Sequence, residues 1–186
     1  MERDAHIYQD LVKVLITREE IREAVRKLGA RITADYQGKA PLVLCIIKGA
    51  ILFFSDLIRE IDLPLTSDFM AISSYGNVTR QSGEVKLIKD MDQPITGRDV
   101  LIVEDIVDTG KTLFYIKKML SDRGAASIRI ASLLDKPSRR TVDLEVEYSC
   151  FIVPNEFVVG YGLDFDEKYR NLPDIGVLKP ELYGGR

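Results

Sequence analysis

Residues Leu101–Thr112 read LIVEDIVDTGKT. The opening Leu-Ile-Val is continuously apolar, as in a strand buried on both faces of a parallel sheet. Glu104 and Asp105 end that run, Asp108 follows, and Thr109-Gly110-Lys111-Thr112 opens a helix expected to extend to about Ser121. A helix N-terminus offers unpaired N–H groups and the positive end of the dipole. Gly110 allows close backbone approach, and the hydroxyls of Thr109 and Thr112 add donors, an arrangement suited to a phosphate monoester. A Walker A loop would need a glycine five positions before the Gly of its GK[ST] ending. That position holds Asp105, whose carboxylate would repel the phosphates. An NTPase is therefore excluded. What fits acids beside a phosphate cradle is a sugar phosphate, since carboxylates accept hydrogen bonds from ribose hydroxyls and can hold Mg²⁺ directly or through water.

Outward from this stretch, the same alternation continues. Leu42–Ile47 and Ser127–Leu134 read as further buried strands, and Ala50–Ile61 as an amphipathic helix. Thr17 and Glu20 form a capping box before a helix expected to stop at Gly29. Asp68–Tyr75 and Glu84–Lys89 read as strands around the polar stretch Gly76–Gly83, with shorter strands at Glu147–Val153 and Phe157–Tyr161. Strands alternating with helices predict an α/β fold with a mainly parallel sheet. Ligands gather outside the carboxyl ends of such strands. Those ends are Lys48–Gly49, Glu104–Thr112, Asp135–Lys136 and the region after Tyr161.

At 186 residues the chain is expected to form one domain. A net charge of −3 disfavours nucleic acid as a partner, which calls for a basic face. Cys45 and Cys150 fit neither a disulfide framework nor a zinc site, and the only histidine, His6, sits near the N-terminus. A histidine base or Ser-His-Asp triad is accordingly disfavoured. The longest apolar run, Leu42–Phe54, is broken by Lys48 and too short for a bilayer, and Met1–Asp10 lacks a signal-peptide core. A cytoplasmic protein without membrane contact is expected.

The Leu101–Thr112 stretch closely resembles the loop by which phosphoribosyltransferases bind phosphoribosyl pyrophosphate: an apolar strand, two acids, two residues, then acid-Thr-Gly-x-Thr. Lys48-Gly49, Ser74-Tyr75-Gly76, Lys136, Phe157 to Asp164 (FVVGYGLD) and Arg170 follow in order, and narrow the resemblance to the hypoxanthine-guanine phosphoribosyltransferase family. It spans residues from about 10 to about 180. The resemblance implies a type I phosphoribosyltransferase fold: a mainly parallel central sheet flanked by helices, with a core of about 35–140 and a small hood from about 1–16 and 141–186.

It also implies roles. Lys48, Gly49 and Arg170 would bind pyrophosphate, with a cis peptide common in the Lys48–Gly49 loop. The family often has a second glycine where this chain has Ala50. Glu104 and Asp105 would hold the ribose hydroxyls and help place Mg²⁺, with Asp164 as a further metal ligand. Thr109, Gly110, Lys111 and Thr112 would cradle the 5′-phosphate. Asp108 would be the general base at the purine imidazole. Lys136 would donate to the purine 6-oxygen, Phe157 would stack on the ring, and Val158 would offer its backbone. Ser74, Tyr75 and the polar loop after them would close as a lid. By residue type alone, Lys48 and Lys136 are equally solvated strand-end lysines, Asp164 and Arg170 a surface pair, and Phe157 a core aromatic. The implied reaction is transfer of phosphoribosyl from phosphoribosyl pyrophosphate to hypoxanthine or guanine, with homodimers or homotetramers as the implied assembly. An RNA-binding attenuator on the same fold, and an enzyme acting on adenine, orotate or xanthine, are the alternatives.

Overall fold

The computed structural model describes residues 6–74 and 85–184, so Tyr75 and the expected lid loop Gly76–Gly83 lie outside the described residues. A six-stranded sheet forms the body, built from β2 (Leu42–Ile47), β3 (Thr66–Ser74), β4 (Val85–Lys89), β5 (Asp99–Val107), β6 (Ser127–Asp135) and β7 (Tyr148–Ile152). Its order is β4-β3-β2-β5-β6-β7, parallel throughout except for antiparallel β4 at one edge. The helices are α1 (Arg18–Asp35), α2 (Ile51–Glu60), α3 (Lys111–Asp122) and the single turn α4 (Pro180–Tyr183).

The apolar runs are explained by helices on both sides. Side chains alternate between faces of a strand. Val43, Cys45, Leu101 and Val103 pack with α1 and α2 residues such as Val25 and Phe53. Their sequence neighbours Leu42, Leu44, Val100 and Ile102 pack with Leu113, Ile116 and Leu120 of α3. Where both faces are covered, over Leu42–Ile46 and Val100–Val103, every position therefore needs an apolar residue. A second, three-stranded antiparallel sheet of β1 (Leu11–Ile16), β9 (Ile175–Leu178) and β8 (Val158–Val159) makes the hood.

Three sequence expectations are corrected. The first concerns α1, which begins with the expected capping box, Thr17 N–H donating to Glu20 Oε2 at 2.8 Å. It then runs through Gly29 to Asp35, carrying Ile32 into the core. Gly29 is the point where α1 meets the end of α2: a Cβ there would lie 2.6 Å from the Glu60 carbonyl oxygen. Second, β5 continues past Val103 to Val107, paired in register with β6 to Asp135. Glu104 and Asp105 thus sit on a strand, which fixes their directions. Third, residues 148–152 pair with β6 in the large sheet rather than joining the hood, and α1 packs on α2 although it precedes residue 35.

Candidate active site

A cavity of about 540 Å³ opens at the carboxyl ends of β2 and β5, under the hood. Its polar wall holds Gly49, Glu104, Asp105, Asp108, Thr109, Gly110, Thr112, Asp164 and Arg170. The structure thus brings together most of the residues singled out in the sequence. Lys111 is exposed and outside that wall, as is Lys48, whose neighbours Ile47 and Gly49 line it.

The floor is Glu104 and Asp105. Burial pushes the Glu104 carboxyl well above the usual range, and the adjacent Asp105 charge pushes the same way. Burial also raises Asp105, opposed by its hydrogen bond with Glu104 and by the positive charge of Arg170. Two desolvated carboxyls side by side are costly unless cations or hydroxyl donors reach them. The floor is therefore built to receive such groups.

The two loops above the floor interlock. The Ile47–Lys48 peptide is cis. A side chain at Gly49 would overlap the Asp105 carboxylate, so only hydrogen fits between loop and floor. Gly162 of the hood lies on top: at φ +100° it favours glycine, and a Cβ there would collide with the Gly49 carbonyl oxygen. Beyond it, Arg170 donates from Nη1 to the Gly162 carbonyl at 2.7 Å and pairs through Nη2 with Asp164 Oδ1 at 2.9 Å. Glu167 meets both Lys48 and Arg170, at 3.2 and 3.4 Å.

At the opposite wall, Gly110 caps α3 in the left-handed region (φ +80°), and no side chain caps that terminus. Lys111 N–H makes only a long hydrogen bond to Thr109 Oγ1, at 3.5 Å, and the other first-turn N–H groups stay available to a ligand. Asp108 accepts from Arg139 Nε at 2.8 Å. Arg140 packs against Gly110 and pairs with Asp135. Both arginines were missed in the sequence. The signal was Pro137, which starts a short 3-10 turn, Pro137–Arg139, that folds the chain back toward the phosphate loop.

Lys136, Phe157 and Val158 form a neighbouring group outside that cavity's wall. Lys136 is 7% exposed, and its Nζ donates to the Glu156 carbonyl at 2.7 Å. Burial pulls its ammonium below the ordinary lysine value, while the Asp108 charge acts in the opposite direction. The Phe157 ring stacks on Tyr183 at 4.6 Å and meets Phe165 edge-on at 5.6 Å. Tyr183 was also missed, because a terminal aromatic in a short helix carries no pattern. Ser74 ends β3.

The model of the phosphoribosyl transferase domain family matches residues 16–166. The chain belongs to this family. Among curated phosphoribosyl transferases, a hypoxanthine-guanine phosphoribosyltransferase of Streptococcus thermophilus is 53% identical over 175 residues, covering 94% of this chain and 97% of the relative. One from Lactococcus lactis is 56% identical over 171 residues, covering 92% and 93%. Among solved structures, a hypoxanthine phosphoribosyltransferase from Staphylococcus aureus superposes with a TM-score of 0.93 at 50% identity, covering 98% of this chain and 99% of that one. The type I fold expected from the sequence is the fold observed, and the protein is a phosphoribosyl transferase. Among the described residues, no helix is long and apolar enough to cross a membrane.

Proposed function

We propose that the protein carries out purine salvage, transferring 5-phosphoribosyl from phosphoribosyl pyrophosphate to hypoxanthine or guanine and releasing pyrophosphate with IMP or GMP. The observation that carries this reading is the uncapped N-terminus of α3 facing paired carboxyls, Glu104 and Asp105, across one cavity. Relatives above 50% identity over nearly the whole chain, named for the same two purines, support it further.

In this reading, the α3 N-terminus with Thr109, Gly110 and Thr112 holds the 5′-phosphate, and Lys111 adds positive charge from outside. Glu104 and Asp105 accept the ribose hydroxyls. Lys48, the Gly49 backbone and Arg170 grip the pyrophosphate. Phe157 stacks on the purine, Val158 lines its edge, and Lys136 donates to the 6-oxygen. Asp108 takes the imidazole proton as the ring nitrogen closes on the ribose carbon. The transition state is oxocarbenium-like, so catalysis lies in positioning the purine and stabilising charge on the departing group.

The donors also suit Mg²⁺. Glu104, Asp105 and Asp164 are hard oxygen ligands. Among the described residues, no three such side chains converge into a cage. That favours an ion held by one or two carboxylates together with substrate oxygens and water. When bound, Mg²⁺ supplies positive charge beside the leaving pyrophosphate. Free thiols at Cys45 and Cys150, both raised to about 12 by burial, agree with a reducing cytoplasm. Homodimers or homotetramers are the assembly to test by light scattering.

The decisive experiment offers each free base with phosphoribosyl pyrophosphate and Mg²⁺. Conversion of hypoxanthine and guanine, with adenine nearly inert, is expected. Efficient AMP formation would overturn the assignment.

A further inference from the structure

Lys48 Nζ and Arg170 Nη2 converge on one atom, Glu167 Oε2, at 3.2 and 3.4 Å. Among the described residues this is the single ion pair of Lys48. Arg170 is anchored elsewhere, on the Gly162 carbonyl and Asp164, and its buried Nε has no hydrogen-bond partner. The contact joins positions 119 residues apart, so it is a product of the fold.

The backbone is shaped to deliver that carboxylate. Asp166, Glu167 and Tyr169 all have positive φ, at 53°, 62° and 73°. Such values are uncommon outside glycine and persist where surrounding structure enforces them. The enforcing contacts are mutual hydrogen bonds between the Phe165 and Lys168 backbones, and Glu167 N–H donating to Asp164 Oδ2 at 2.9 Å.

We infer that Glu167 is an internal stand-in for pyrophosphate, occupying Lys48 and Arg170 in the substrate-free protein and thereby setting the affinity for phosphoribosyl pyrophosphate and for released pyrophosphate. This rests on the assignment of Lys48 and Arg170 as the pyrophosphate-gripping cations. A carboxylate oxygen and a phosphoryl oxygen are interchangeable acceptors for these donors, but pyrophosphate carries more charge and more oxygens. It therefore displaces the carboxylate. The displaced Glu167 loses little, because its side chain is already 65% exposed to water. Until displacement, the competent arrangement of cations is only partly populated, and apparent affinity falls by that fraction. The device keeps the cations together while preventing product pyrophosphate from binding too long.

The test compares Glu167→Gln, Lys48→Ala and the double variant, using calorimetric titration with Mg-pyrophosphate and steady-state kinetics. Glu167→Gln is expected to tighten pyrophosphate and lower KM for phosphoribosyl pyrophosphate by about two- to fivefold, the scale of exposed ion pairs. KM for the purine should not move, and the gain should shrink in high salt. Lys48→Ala should weaken both ligands, and Glu167→Gln should give a smaller gain in that background. If Lys48→Ala weakens binding but Glu167→Gln leaves it unchanged or weaker, Glu167 is not a competitor, and this inference alone is overturned. If Lys48→Ala has no effect either, the assignment of the gripping cations fails with it.

Discussion

Arg139 donates from Nε to Oδ1 of Asp108 at 2.8 Å, so the group assigned as general base is oriented by a residue outside the phosphate loop. Asp108→Asn should lower kcat by about 10²–10⁴-fold, the usual worth of general-base assistance. Phosphoribosyl pyrophosphate binding should stay nearly intact. Arg139→Ala should cost less, because it removes the orienting bond and leaves the carboxylate. Single-turnover kinetics with a separate binding titration would check both. A full kcat in Asp108→Asn would place the base elsewhere.

Lys136 is a buried donor with no acceptor capacity, so it suits a 6-oxo group and leaves a 6-amino group unpaired. Lys136→Ala should weaken hypoxanthine and guanine use by about 2 kcal/mol, the scale of a hydrogen bond from a charged group. The readout is kcat/KM for each base. Adenine should remain poor in both proteins, since removing a donor does not create an acceptor.

Tyr183 lies flat against Phe157 at 4.6 Å, while Phe157 as a residue is 37% exposed. A stacked pair contributes about 0.5–1.5 kcal/mol beyond area burial. Tyr183→Ala should let the Phe157 ring wander and raise KM for the purine several-fold. KM for phosphoribosyl pyrophosphate should hold steady. Equal loss for both substrates would point instead to disruption of the hood.

Asp90 accepts two hydrogen bonds from Arg123, at 2.6 and 2.7 Å, tying the chain after β4 to the end of α3. Those bonds hold the Asp90 carboxyl below its usual range. A carboxyl lowered by folding contributes stability above its unfolded value, near 4, and loses it as pH falls through the folded value. Asp90→Asn should cost about 0.5–1 kcal/mol at neutral pH, a modest figure because the pair is partly exposed. The difference in Tm from the parent should begin to shrink near pH 4 and vanish only in stronger acid, below the lowered folded value.

The elements legible in the sequence were those with an unbroken pattern. β2 and the Val100–Val103 part of β5 could be read because burial on two faces leaves no polar position there, β6 because its apolar residues outnumber the polar ones among them, and α3 because its opening also carries the phosphate loop. Gly29 misled because a glycine is a good stop signal in a chain considered alone, whereas here it is a contact between helices. That reading predicts Gly29→Ala to be destabilising by about 1–3 kcal/mol in urea melts, although alanine is the better helix former. The site divided along the same line. Residues within one loop, such as Asp108 to Thr112, were visible together. Arg139 and Glu167 become partners of Asp108 and Lys48 only through tertiary contacts spanning 31 and 119 residues.

The seat of Gly162 on the Gly49 carbonyl has a consequence for synthesis on the ribosome. Domains fold as the chain emerges from the N-terminal end. By residue 140 every strand from β2 to β6 has been made, and with them the phosphate loop and its acids. Yet the ceiling over Gly49, and both Asp164 and Arg170, come from chain still untranslated at that moment. A nascent chain of that length still lacks Gly162, Asp164 and Arg170. The order of translation thus delays a working pocket until the fold that shelters it is nearly complete.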